Sequence, residues 1–255
     1  MKSCVFMLKP KNRIVILGGS GMVGKALVKR LISKGYKVLA VARKDKNCCR
    51  GDVADIRFLN KILKKDDIIY YLVTENRSKN FRDYHKANVL GLKNLVEIDS
   101  EKKLKKIIYL STIMVLGRNI NKNSFYVRSK LEGLKYFKNN IKKNFYIIYP
   151  GVVINRNFRY RERGKGVWGA IKDYLGFNTQ GGIRMMVGNR GRLIEMIYID
   201  ELIDMLEDYL TKNRPREKKA VTKSITAHDY VKMASSKTRF WPIRMPEWIS
   251  KYFLN

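Results

Sequence analysis

Tyr126 and Lys130 stand four residues apart in Tyr126–Val127–Arg128–Ser129–Lys130, a spacing that puts both side chains on one face of a helix. An ammonium fixed beside a phenol favours the phenolate and lowers the phenol's pKa, which suits it to general acid/base work near neutral pH. With 15 tyrosines and 54 Lys and Arg in the chain, chance alone produces such a pair. Its place gives it weight. It opens the helix after a strand ending in Ser111–Thr112, whose hydroxyls would lie at the carboxyl edge of a parallel sheet, where open α/β folds bind ligands.

A second constellation is Gly18–Gly19–Ser20–Gly21–Met22–Val23–Gly24, read from Gly19 as G-x-G-x-x-G. It sits between an apolar strand run and an amphipathic helix, the context a phosphate loop needs. The early glycines allow a tight turn, Gly21 lets the backbone approach a pyrophosphate, and Gly24 allows close helix–strand packing. Free amides at the helix start, over Ser20, Met22 and Val23, would face the anion. About 20 residues on, an acid would hold the ribose 2′-hydroxyl of NAD. Arg43 and Lys44 stand there instead, 22 and 23 residues after Gly21, and suit the 2′-phosphate of NADP. The alternative is NAD, with Asp45 reaching the ribose and Arg43 an ordinary surface cation. Asp52 either accepts from an adenine amino group or serves as a turn aspartate.

These residues need a frame to position them. Apolar runs at 13–18, 36–42, 67–73, 106–111 and 145–149 read as buried strands, and helical periodicity marks 22–34, 56–63, 83–98 and 126–139. The alternation predicts an α/β fold, a Rossmann-type doubly wound parallel sheet with right-handed crossovers. Beyond Pro150 the pattern changes. An arginine-rich loop covers 155–165 and a helix 167–174. A strand end at 196–200 precedes a helix at 201–211 and a charged connector at 212–219. Helices follow at 227–235 and 246–253. We expect a dinucleotide-binding domain at 1–155, with 196–212 packing back on it, and a small C-terminal α/β substrate cap at 156–255. The aromatic run from Phe240 to Phe253 reads as the core of that cap, with a membrane or partner contact as the alternative.

Composition sets bounds. The chain has 255 residues, 45% of them hydrophobic, enough for a real core. Three cysteines exclude a disulfide scaffold and two histidines a histidine-rich metal centre, so no metal site is expected. No run of about 18 apolar residues is present, so no spanning helix is expected. The stretch Cys4 to Leu8 is too short for a signal-peptide core, and the expected location is cytoplasmic. The net charge of +32 favours anionic partners: nucleotides, nucleic acid or an anionic membrane face. The lysines are spread along the whole chain, however, and read first as a solvated surface.

Several stretches together resemble the extended short-chain dehydrogenases/reductases, in the NAD(P)-dependent epimerase/dehydratase group. They are Leu17 to Gly24, Gly51–Asp52–Val53, Asn88–Val89–Leu90–Gly91, Ile108 to Thr112 with Val115 and Gly117, Tyr126 to Lys130, Tyr149–Pro150–Gly151, and Tyr198 to Leu202. The resemblance implies that Thr112 is the catalytic Ser/Thr and Tyr126 the acid/base. It implies that Lys130 holds the nicotinamide ribose and tunes Tyr126, and that Pro150 to Val153 border the nicotinamide. Val53, Val73 and Ser111 join the implied cofactor contacts. At Val73–Thr74 the family usually carries small alanines.

The expected function is an NADP-dependent oxidoreductase or epimerase acting on a sugar nucleotide or a small carbonyl or hydroxyl substrate. Arg156, Arg159, Arg161 and Arg163 are candidates to hold an anionic substrate, and a homodimer is a further expected assembly. The alternatives are an NADPH-binding subunit or assembly factor without turnover, and an RNA-binding member of the fold.

Overall fold

Ile14–Leu17 is apolar at all four positions, and the computed structural model buries all four as strand β1. A strand covered on both faces reads as such a continuous run. The structure describes residues 12–117, 120, 122–156, 185–187, 193–212, 214–226 and 243–245. The chain divides into two units, Met1–Pro150 with Ile199–Ala220, and Gly151–Tyr198 with Val221–Asn255.

The first unit holds a seven-stranded sheet in the order β10-β6-β5-β4-β1-β2-β3, every pair parallel. Its strands are β1, β2 (Val38–Ala42), β3 (Cys49–Arg50), β4 (Ile68–Tyr71), β5 (Lys106–Leu110), β6 (Phe145–Pro150) and β10 (Glu217–Ala220). The chain runs outward from β1 through β2 and β3, then returns to β4 and builds the other way. The switch lies between β1 and β4, and the crevice at their carboxyl ends is where such sheets take ligands.

Helices α1 (Met22–Ser33), α2 (Ile56–Ile62), α3 (Phe81–His85), α4 (Gly91–Lys102), α5 (Phe125–Asn140) and α6 (Ile199–Thr211) flank this sheet. On one face Leu92, Leu95 and Phe137 pack with Val15, Ile69, Ile107 and Tyr109. On the other, the Tyr70 hydroxyl donates to the Leu206 carbonyl at 2.7 Å and the Tyr146 ring meets Tyr209. Arg30 of α1 pairs with Asp204 and Glu207 of α6. At the amino edge of the sheet, Arg13 grips buried Asp67 through two nitrogens at 3.0 and 2.6 Å.

Three elements differ from the sequence expectation. The charged connector at 212–219 ends as a strand, because Glu217–Ala220 pairs with Ile147–Pro150 at the sheet edge. Glu217 anchors it, accepting from the Tyr149 hydroxyl and from Lys138, each at 2.7 Å. The strand end expected at 196–200 is the six-residue β9, Leu193–Tyr198, and it belongs to the second unit, with the helix starting at Ile199. The helix expected at 83–98 starts at Phe81 and carries a π-helical turn at Lys86–Leu90.

In the second unit β7 (Val152–Ile154) runs parallel to β9, and β11 (Lys223–Thr226) antiparallel to it. Strands β8 (Met185–Val187) and β12 (Ile243–Met245) pair in parallel. The helices expected at 167–174, 227–235 and 246–253, and the arginine loop beyond Arg156, lie outside the described residues. Among the described residues, no helix is long and apolar enough to cross a membrane, and no group of three or more His, Cys, Asp or Glu could hold a metal ion.

Candidate active site

The glycine bend follows directly from β1. Gly18 has φ +93°, and its amide and that of Gly19 both donate to the Val41 carbonyl at 3.0 and 2.9 Å. Gly21 caps α1 with no side-chain hydrogen bond, and the first turn of that helix contains no acid. The amides of Met22 and Val23 therefore have no partner within the helix. A Cβ on Gly24 would lie 2.2 Å from the Gly18 carbonyl oxygen, so only glycine lets the helix start so close to the strand end. Unfilled donors, the positive end of a helix dipole and an open backbone surface together fit a pyrophosphate.

The reactive side chains meet two strands away. Thr112 follows β5, is 6% exposed, and accepts the Met114 amide at 3.3 Å. Ser124 caps α5 through the Val127 amide, which places Tyr126 in the first turn. The hydroxyls of Thr112 and Thr74 are polar neighbours of the Tyr126 phenol. Lys130, one turn on, is 1% exposed and donates to the Val73 carbonyl at 3.4 Å, with its ammonium 5.6 Å from the centre of the Tyr109 ring. Ser111 and Tyr109 are buried beside this group, and among the described residues their hydroxyls have no hydrogen-bond partner. Tyr126, Thr112, Lys130 and Val73 thus converge at the carboxyl edge, as does the glycine bend at the end of β1.

The electrostatics differ from the expectation of a lowered phenol pKa. Burial raises the Tyr126 pKa above its ordinary value, and outweighs the opposing pull of the neighbouring Thr112 and Thr74 hydroxyls. Burial also lowers the Lys130 pKa to about 7. A group that loses its own proton near neutrality supplies little positive field, so spacing on the helix does not by itself yield a phenolate.

Asn88 ties the cluster together. It is 0% exposed, within the π turn, and donates to the Glu75 carbonyl at 3.1 Å and to the Ser129 hydroxyl at 2.9 Å. Its side-chain oxygen accepts the Glu75 amide at 3.1 Å, and Ser129 in turn donates to the Tyr126 carbonyl at 2.9 Å.

A family model described as the NAD dependent epimerase/dehydratase family matches residues 14–219. The chain belongs to that family. A 2-alkyl-3-oxoalkanoate reductase of Stenotrophomonas maltophilia is 28% identical over 115 residues, 42% of this chain and 35% of that protein. N-acetyl-alpha-D-glucosaminyl-diphospho-ditrans,octacis-undecaprenol 4-epimerase of Escherichia coli O157:H7 is 25% identical over 223 residues, 79% of this chain and 64% of that one. The chain thus spans between about a third and two thirds of the length of these curated relatives. Among solved structures, UDP-glucose 4-epimerase of Thermotoga maritima with UDP-glucose has a TM-score of 0.72 at 17% identity, covering 92% of this chain and 85% of that one. This likeness shows the shared fold.

The other sequence-derived residues of this epimerase/dehydratase chain are placed as follows. Arg43 and Lys44 are exposed at the end of β2, and an Arg43 nitrogen lies 3.6 Å from a Glu75 oxygen. The other Glu75 oxygen accepts the amides of Asn76 and Arg77 at 3.0 and 2.9 Å. Asp52 accepts the Ala54 amide at 3.0 Å and pairs with Lys86 at 3.2 Å, the role of a turn aspartate. Val53 is buried core, its carbonyl taken by Asn94. Pro150 is buried at the end of β6, opposite Ala220. Val153 lies on β7 of the second unit, opposite Ile197. The site roles of Thr74, Glu75 and Asn88 were not read from the sequence. Only Asn88 stood within a recognised stretch, and no local spacing links 43 to 75 or 74 to 126.

Proposed function

We propose that this protein is an NAD(P)-dependent oxidoreductase or epimerase, with NADP the favoured coenzyme and a sugar nucleotide or a related sugar diphosphate the favoured substrate. The observation that carries this reading is the Tyr126 phenol beside Thr112, with buried Lys130 one turn on, at the carboxyl edge of a sheet whose first strand ends in an uncapped glycine bend. The amides of Met22 and Val23 would hold the pyrophosphate, and Lys130 the ribose next to the reactive ring. Arg43 and Lys44 would meet a 2′-phosphate. A bound nicotinamide supplies the site that gives or takes a hydride.

The chain's own residues handle the proton. In oxidation, Tyr126 as phenolate takes the proton of a substrate hydroxyl, while Thr112 donates a hydrogen bond to the same oxygen. In reduction, the phenol returns that proton to the carbonyl oxygen. The raised Tyr126 pKa suits the proton-donating direction near neutral pH. Family relatives include one named for a diphospho-linked sugar and a solved structure holding UDP-glucose, which supports the substrate class. In the second unit, the Arg156 guanidinium lies 4.1 Å from the centre of the Tyr198 ring.

Val73, at a position where the family usually carries a small alanine, favours a second reading, a dinucleotide-binding protein without turnover. One experiment separates the two. A panel of nucleotide sugars and small carbonyl compounds is incubated with each coenzyme while the absorbance of the reduced nicotinamide is followed, and sugar products are resolved by chromatography. Turnover that Tyr126→Phe abolishes, with coenzyme affinity nearly intact, supports the enzyme. Tight binding without reaction on any substrate supports the second reading, and turnover unchanged in Tyr126→Phe removes the assignment of that residue.

A further inference from the structure

The sheet order β4-β1-β2 puts β1 between the two strands whose ends lead to Glu75 and Arg43. Arg43 directly follows β2, and Glu75 lies four residues past the end of β4. The glycine bend is seated between those ends. The Gly18 and Gly19 amides donate to the Val41 carbonyl, and a Cβ on Gly18 would lie 2.9 Å from the Leu72 carbonyl carbon. Two strand spacings, about 10 Å, separate β2 from β4. The Arg43 and Glu75 side chains close that span to 3.6 Å. Their ion pair therefore crosses the carboxyl end of β1, at the switch point where such a sheet takes its ligand. One half of the pair is fixed. The Glu75 amide and carbonyl are both engaged by buried Asn88 at 3.1 Å, and one carboxylate oxygen accepts the Asn76 and Arg77 amides at 3.0 and 2.9 Å. The Arg43 side chain is 57% exposed against 18% for Glu75, so Arg43 is the half able to move.

We propose that the Arg43–Glu75 pair is a strap across the dinucleotide crevice: it opens to admit either coenzyme, recloses over NAD, and stays open over NADP because Arg43 then holds the 2′-phosphate. This rests on the reading of the glycine bend as a dinucleotide site. Charge makes the difference between the coenzymes. NAD carries a neutral ribose hydroxyl at that end, which gives Arg43 no charge to take in exchange for the carboxylate. NADP carries a phosphate, which a guanidinium meets with two parallel hydrogen bonds. A partly exposed pair favours its closed form by at most about fivefold. Entry needs the open form, so it is slowed by that factor for both coenzymes. Release is slowed by the same factor for NAD alone, because only NAD leaves from under a closed pair.

The test is stopped-flow fluorescence of NADH and NADPH binding to the full chain, which reads association and dissociation rates separately. Glu75→Gln keeps a carbonyl oxygen for the Asn76 and Arg77 amides and removes only the charge. In that variant both coenzymes should associate up to about fivefold faster, and NADH alone should dissociate faster by the same factor. Arg43→Ala breaks the pair from the other side. It should speed both NADH rates equally, and the double variant should add nothing to either single one. An NADH dissociation rate unmoved in Glu75→Gln overturns the strap and leaves coenzyme binding standing. So does NADPH release accelerated as much as that of NADH, or single effects that simply multiply in the double variant. A chain that binds neither coenzyme overturns the reading of the glycine bend, and the strap with it.

Discussion

Lys130 extends its ammonium to within 3.4 Å of the Val73 carbonyl oxygen, and among the described residues no carboxylate pairs with it. A lysine in this setting is held near the point of losing its charge, at a pKa of about 7 against an ordinary value of 10.5. Between those two pH values the unfolded chain binds more protons than the folded one, so stability rises with pH across that window. Below pH 7 both states are protonated and the cost of the buried charge is present in full. The difference between the two values corresponds to roughly 5 kcal/mol at most. Urea unfolding of the wild type and of Lys130→Met from pH 6 to 10 is the check. The stability of the wild type relative to the variant should climb with pH, whereas a flat difference would contradict the low pKa.

Gly24 makes a steric prediction. In Gly24→Ala the new methyl meets the Gly18 carbonyl oxygen at 2.2 Å, and the nearest atoms it meets are all backbone. The helix start must move away from the strand end, at a cost on the order of 1–3 kcal/mol. The amides of Met22 and Val23 move with it. Thermal unfolding should register the lost stability, and calorimetry with either coenzyme should show affinity reduced tenfold or more, about 1.4 kcal/mol.

Glu75 bears on coenzyme choice. Its carboxylate is fixed by two backbone amides and lies 3.6 Å from Arg43, so Arg43 must leave a carboxylate to meet a phosphate. The pair is partly exposed and worth at most about 1 kcal/mol. Glu75→Gln should therefore raise the preference for NADP over NAD by about fivefold, and Arg43→Ala should lower NADP affinity while sparing NAD. Competition binding at two salt concentrations reads both effects. An unchanged ratio in Glu75→Gln would show that Arg43 does not serve the 2′-phosphate.

Asn88 is predicted to matter more for stability than its single motif position suggests. Asn88→Ala leaves the Ser129 hydroxyl and both backbone groups of Glu75 without this partner. Unpaired buried polar groups of this kind cost about 1–3 kcal/mol. Denaturant unfolding should show a loss in that range, with unchanged stability the contrary result.

Much of this frame was legible in the sequence for a physical reason. β1, β4, β5 and β6 are mostly buried and so appear as apolar runs, and the first three are each followed by a helix. The glycine bend was legible because close backbone contacts exclude every other residue at Gly24. β10 was not, because an edge strand spelled Glu-Lys-Lys-Ala carries no apolar pattern, and its anchor Glu217 is recognised only beside Tyr149 and Lys138. The reactive pair was legible as a spacing but not as a pKa. The direction at Tyr126 depends on how deeply later packing buries it, and no i, i+4 rule contains that information. Glu75 meets Arg43, 32 positions away, through a tertiary contact alone.

The central claim is that the glycine bend at the end of β1 grips a pyridine dinucleotide. Isothermal titration calorimetry of the folded wild-type chain with NADP and with NAD tests it most directly. One-to-one binding is expected, tighter for NADP and weakened in Gly24→Ala. No heat with either coenzyme, from a chain whose circular dichroism shows it folded, would contradict it.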